Sequence, residues 1–136
     1  MTAMVWLDGE LVEAQAASVS VDDHGLTVGD GLFETMKVVG GEAFAITRHL
    51  ARLSRTAAGL GLLAPAHAAL RDAVTRTVEA NPGCGRVRLT VTGGRGPAGT
   101  ARAGAPATVL VVAGPATHWP PTEASALAAG AAGPPL

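Results

Sequence analysis

Most features that would mark a specialised environment are scarce in this 136-residue chain. One cysteine, Cys84, cannot form an internal disulfide, so a reducing, cytoplasmic setting is expected. Charged residues are 15% of the chain, against roughly 25% in ordinary soluble domains. The surface is therefore either bland or partly covered by something else. The formal net charge is −1 and there is no basic run, which argues against a nucleic-acid or acidic-membrane partner. The opening MTAMVWLDGE lacks a basic stretch followed by a long apolar one, so no signal peptide is expected. The longest apolar run, TVLVVAG, is strand-sized and far short of a membrane span. Lysine occurs once, at Lys37, against nine arginines, a bias that speaks of a GC-rich genome more than of a function. No internal repeat is present.

What the chain does have is strong turn punctuation between short periodic segments. MVWLDGELVE reads as two strands around the tight Asp8-Gly9 turn. SVSVDDHGLTVGDG reads as a loop of short turns. LFETMKVVGGEAFAI reads as a second hairpin around Gly40-Gly41. Its first strand should turn Leu32, Met36 and Val38 to the core, with Glu34 on that same side, and Phe33, Thr35 and Lys37 to something polar. Thr47 is the expected cap of a helix in which Leu50, Leu53, Ala57 and Leu60 recur, ended by Gly59 and Gly61. Arg48, Arg52 and Arg55 form its opposite stripe. A second helix, about Pro65 to Ala80, presents Leu70, Ala73, Val74, Thr77 and Val78. RVRLTVTGG and ATVLVVAG are two further strands joined by the Gly- and Pro-rich stretch Gly93 to Pro106. The order implies an α+β domain of two layers, a largely antiparallel sheet of hairpins with two helices on one face. Residues 1–115 make that domain, and 116–136, dominated by Ala, Gly and Pro, read as a disordered tail.

Signals for chemistry are few. Gly94-Arg95-Gly96-Pro97-Ala98-Gly99 fits GxGxxG, but no helical pattern follows to hold a pyrophosphate, so it reads as a surface loop. His24, His49, His67 and His118 stand apart from each other and from Cys84, so no metal site is expected. Asp22, Asp23 and Asp30 are spaced unlike a calcium loop and read as caps of turns. No Gly-x-Ser-x-Gly turn occurs, and Ser54 falls within a helix. Arg48, Arg52 and Arg55 read first as a solvated helix face, and Lys37 as an exposed partner of Glu34 or Glu42.

Taken in order, VSVDDHGLTVGDGLFETMKVVGGEAFAITRHLARLSRTAAGLGL closely resembles the N-terminal domain of the fold-type IV pyridoxal-phosphate enzymes, the class IV aminotransferases. The pattern is an Asp-x-Gly turn, Gly-Asp-Gly, an aromatic-Glu pair, a hairpin, and a helix bearing His-x-x-Arg-Leu. The resemblance runs from about Val5 to Ala113, and VRLTVTGGRGPAGT is most similar to aminodeoxychorismate lyases. It implies that Arg52 binds the phosphate of pyridoxal 5'-phosphate. It further implies that Phe33, Thr35, Lys37 and Arg88 line the substrate pocket, Lys37 and Arg88 receiving carboxylates of a small amino-acid-like substrate. Arg52 and the Phe33, Thr35 and Lys37 face should then share one concavity. Asp30 should fix the Gly29-Asp30-Gly31 turn by hydrogen bonding and do no chemistry. His24 departs from the arginine often found at its position. The Schiff-base lysine of the family lies in a C-terminal domain that this sequence does not resemble, so no catalytic residue is expected here, and the chain alone should be inactive. The implied activity is elimination of pyruvate from 4-amino-4-deoxychorismate, giving 4-aminobenzoate for folate synthesis. The alternatives are a branched-chain or D-amino-acid aminotransferase, or a non-catalytic domain that binds a partner chain. Homodimerisation through this domain is implied in each case.

Overall fold

Strand β1, Met4–Leu7, and β2, Glu10–Glu13, pair antiparallel across a turn in which Asp8 and Gly9 both adopt positive φ. That is the backbone a two-residue hairpin requires. A single 3-10 turn, Ala14–Ala16, follows. The segment expected to be loop contains one helical turn, α1, His24–Thr27, whose N-cap Asp23 accepts a hydrogen bond from the Gly25 N–H at 2.8 Å. Strand β3, Gly31–Val39, turns back through Gly40-Gly41 into the two-residue β4, Glu42–Ala43. Helices α2, Ile46–Gly59, and α3, His67–Ala80, come next, then β5, Arg86–Thr92, and β6, Val109–Gly114. The structure is a computed structural model that describes residues 3–99, 101–102 and 104–117. Most of the expected tail therefore lies outside the described residues.

The six strands form one antiparallel sheet in the order β2-β1-β6-β5-β3-β4, with α2 and α3 on one face, as the sequence pattern implied. The core lies between sheet and helices. Met36, Val87, Leu89, Val91 and Val111 meet Leu50, Leu53, Leu70, Ala73 and Val74, all essentially without solvent contact. Every residue expected on the inner stripe of α3 is buried. Two expectations fail at the ends of α2: Leu60, expected on its apolar stripe, lies just past the helix and is exposed. Thr47 is inside α2, which begins at Ile46 after Ala45 in a left-handed conformation without a side-chain cap. The tight exit from β4 forces the chain round before a capping residue is reached. The Thr47 hydroxyl instead accepts a hydrogen bond from Arg71 on α3 at 2.8 Å.

The segment from Ser20 to Asp30 and the loop from Gly93 to Pro106 hold one another in place. Arg95 pairs with Asp22 at 2.9 Å, and the Thr108 hydroxyl donates to the buried Asp23 carboxylate at 2.6 Å. The buried His24 donates from Nε2 to the Pro97 carbonyl at 3.0 Å, while its Nδ1 has no partner among the described residues. Gly96 lies so close to that ring that a Cβ there would come within 2.6 Å of Nε2. The GxGxxG stretch is thus a fastened loop and opens no helix. Asp30 is held by Arg102 in a two-pronged pair at 2.7 Å for each contact, and Arg102 also donates to the Leu60 and Gly61 carbonyls just past α2.

This last pair yields a pH prediction. The Arg102 guanidinium, hydrogen-bonded to Asp30, holds its carboxyl below the usual carboxylate range, against a smaller opposing effect of burial. A group lowered on folding stabilises the fold above its unfolded pKa of about 3.9, and that contribution is lost as pH falls through the lower folded value. Arg102→Ala should therefore lower urea stability clearly at pH 7, and its deficit should shrink below pH 4. A deficit independent of pH would show that only the carbonyl contacts matter.

Candidate active site

Strand alternation decides which side chains can meet. On β3, Glu34 and Met36 go under the helices, while Phe33, Thr35 and Lys37 are exposed on the outer face. Their partners on β5 follow from register: Phe33 lies opposite Thr90, Thr35 opposite Arg88 and Lys37 opposite Arg86. Directly opposed residues of an antiparallel pair share a face. All four residues expected to line a substrate pocket therefore stand on one sheet face. The Arg88 guanidinium lies over the Phe33 ring, 3.8 Å from its centroid, a cation–π contact that fixes its direction. Beside them Thr35, Arg86, Arg88, Val112, Ala113 and Gly114 line a concavity of about 200 Å3. Phe33 and Lys37 border this area but do not line that concavity.

Arg52 sits elsewhere. Its Nε donates to both oxygens of Glu34, at 2.8 and 3.1 Å, and Glu34 is on the helix side of β3. His49, one turn earlier on α2, places Nδ1 2.9 Å from Glu34 Oε1 and donates to it in the tautomer carrying that hydrogen. Glu34 is 8% exposed, so this is a carboxylate on the core side compensated by two groups from α2. The sequence suggested no such partnership. Of the two partners expected for Lys37, Glu34 or Glu42, Glu34 is excluded, because strand residues an odd number of positions apart point to opposite faces. Arg48, His49, Arg52 and Arg55, with Ala45, line a second depression of about 300 Å3. Arg48 and Arg55, expected as plain solvated residues, thus flank Arg52.

The concavity expected to join Arg52 to Phe33, Thr35 and Lys37 is not formed within the described residues. Instead there are two, one lined by α2 arginines and one on the outer face of β3, β5 and β6. The reason is that Arg52 belongs to α2, which packs on the helix side of the sheet, and Glu34 holds its side chain there. β4 pairs only with Val38 and Val39, so residues 31–37 of β3 have no further strand beyond them among the described residues.

The donor set of the α2 depression suits a phosphate: guanidiniums offer forked donors, and Nε of Arg52 is already engaged, leaving its terminal amines for an anion. Residues 31–132 match the family model for amino-transferase class IV. The chain belongs to that family. It is 33% identical over 95 residues to a D-alanine aminotransferase of Bacillus licheniformis, a match covering 68% of this chain and 34% of that protein. Among solved structures, the 4-amino-4-deoxychorismate lyase of Pseudomonas aeruginosa superimposes with a TM-score of 0.72 at 34% identity. That match covers 88% of this chain and 42% of the lyase. A branched-chain aminotransferase of Thermoproteus uzoniensis, with norvaline, gives a TM-score of 0.74 at 30% identity, covering 85% and 41%. The class IV chain thus spans well under half the length of these relatives. Pyridoxal phosphate is the cofactor of the family.

Removing either member of the Glu34–Arg52 pair should have unequal effects. Arg52 is more than half exposed and would be solvated without Glu34, whereas Glu34 without Arg52 keeps only His49. Leaving a buried charged acceptor short of a partner costs about 2 kcal/mol. Arg52→Ala should therefore destabilise the chain by about that much, and Glu34→Gln by clearly less. Chemical denaturation of both variants checks this, and equal losses would remove the argument.

Proposed function

We propose that this chain is the N-terminal part of a pyridoxal-phosphate enzyme that eliminates pyruvate from 4-amino-4-deoxychorismate to give 4-aminobenzoate. The observation that carries the reading is the outer sheet face, where Arg88 and Lys37 stand as exposed cations beside Phe33 and Thr35, a wall suited to a carboxylate-bearing substrate. The similarity to the Pseudomonas aeruginosa lyase supports the choice of reaction. A D-amino-acid or branched-chain transaminase is the second reading, favoured by the curated relatives at comparable identity.

In this proposal the cofactor, when bound, supplies an electron sink for the substrate's α-carbon. Arg52, oriented by Glu34 and flanked by Arg48, holds its phosphate. Lys37 and Arg88 hold substrate carboxylates, and the Phe33 ring keeps Arg88 extended over the sheet while excluding water from beneath it. No group of this chain moves the α-proton; that role and the Schiff-base lysine belong to a second domain laid across the open edge of β3, bringing the two concavities under one cover. Homodimerisation through this domain is part of the same proposal.

The test is to express the chain together with the coding sequence downstream of its Leu136 codon and to assay both reactions. The extended protein should release 4-aminobenzoate from 4-amino-4-deoxychorismate, and the 136-residue chain alone should not. Transamination of D-alanine or a branched-chain amino acid without 4-aminobenzoate would select the second reading. Turnover by the chain alone would overturn the assignment of the proton-moving group to another domain. In the extended protein, Arg52→Ala should cut cofactor retention on gel filtration at least tenfold, a charge-assisted hydrogen bond being worth about 1.5–3 kcal/mol.

A further inference from the structure

We infer that Arg86 is a third substrate-binding cation and that the pocket is built for a small dianion with an anionic group at each end. The inference rests on the reading of this sheet face as the substrate wall. Arg86 lies directly opposite Lys37 in the β3–β5 register and two residues from Arg88 on the same exposed face. Opposed side chains of such a pair have Cβ atoms about 4.5–5.5 Å apart, and residues i and i+2 of one strand lie about 7 Å apart. Three cations are therefore packed into one small triangle, although like charges directly opposite each other destabilise a sheet.

Among the described residues, none of Lys37, Arg86 and Arg88 makes an ion pair with a carboxylate, whereas Arg52, Arg76, Arg95 and Arg102 all do. The described polar contact of Arg86 is a long one, Nη1 donating to the Thr117 hydroxyl at 3.4 Å. The two guanidiniums also diverge. Arg88 leans across β3 onto Phe33, while Arg86 lies across β6 over Gly114, where a Cβ would come within 3.1 Å of its Nε. Between them is the concavity of about 200 Å3, with Thr35 and Val112 in its lining. A slot with cations at both ends and a lining that mixes polar and apolar surface matches a compact dicarboxylate better than a monocarboxylate amino acid.

The experiment titrates the 136-residue chain with benzoate and with isophthalate, following backbone amides and arginine Nε–Hε signals by NMR. Isophthalate should bind about tenfold more tightly than benzoate, the difference of one charge-assisted hydrogen bond near its lower range. It should shift the signals of Arg86, Arg88 and Thr35 together. Arg86→Gln should reduce isophthalate affinity to the benzoate level and leave benzoate binding unchanged, and Arg86→Lys should restore part of the gap. An isophthalate preference that survives Arg86→Gln would overturn the inference while leaving the substrate wall standing. Failure of both probes to shift Arg88 or Thr35 would overturn the wall itself and this inference with it.

Discussion

The two-residue alternation of β3 places a carboxylate, Glu34, among the side chains that pack beneath the helices. A charge there must be matched, because desolvation without a partner outweighs what packing returns. Helix α2 supplies the match from two successive turns, His49 and Arg52, both aimed at the same Oε1. The pair joins α2 to β3 by direction as well as by apolar contact. It also commits one nitrogen of Arg52 and so sets the plane of the whole guanidinium, a rigid fork that loses little freedom when its remaining donors meet an anion. The same alternation exposes Phe33, Thr35 and Lys37 opposite Thr90, Arg88 and Arg86. One strand thus separates two sets of cations by putting a buried acid between them.

The other constraint lies where these elements begin and end. Asp22, Asp23, His24 and Asp30 each bond to something between Arg95 and Thr108, so the entry to β3 and the exit from β5 are tied four times over. Arg102 extends the ties to the carbonyls following α2. The start of the outer-face strand and the end of the arginine-bearing helix are consequently fixed by one side chain that touches neither concavity. Gly31 belongs to the same arrangement, since a Cβ on it would meet the Val91 carbonyl at 2.9 Å and push β3 away from β5.

Much of this was legible from the amino acids, and the failures have identifiable causes. Strong periodicity located both long helices and all the long strands, because burial at Leu50, Leu53, Leu70 and Val74 leaves a repeat that turn residues cannot imitate. Alternation was enough to assign Phe33, Thr35 and Lys37 to the outer face. The Thr47 cap failed because backbone closure at β4 dominates over side-chain preference. The pairs Glu34–Arg52, Asp30–Arg102 and Asp22–Arg95 were not legible, since their members are 18, 72 and 73 positions apart and only the assembled sheet brings them together. His24 could be seen as unusual, but not as a buried donor to Pro97. Arg86 carried no such signal, because its place directly opposite Lys37 is set by the register of β3 with β5.

The cations sort into two groups with different physical roles. Arg71 bonds to Thr47, Arg76 pairs with Asp72 and lies over Trp6, Arg95 pairs with Asp22, and Arg102 pairs with Asp30. These hold the fold, each beside its own acceptor. Arg48, Arg52 and Arg55 gather at the α2 depression, and Lys37, Arg86 and Arg88 gather on the outer sheet face. Only Arg52 of these six makes an ion pair among the described residues. In a chain whose charged content is low, clustering like charges is unfavourable for the isolated domain, and dispersing them would relieve the repulsion. Anions at either cluster would relieve that repulsion. Under the function proposed above, a cofactor phosphate on one side of β3 and substrate carboxylates on the other would meet that requirement, and the buried acid between the clusters would orient Arg52 without competing for the outer face.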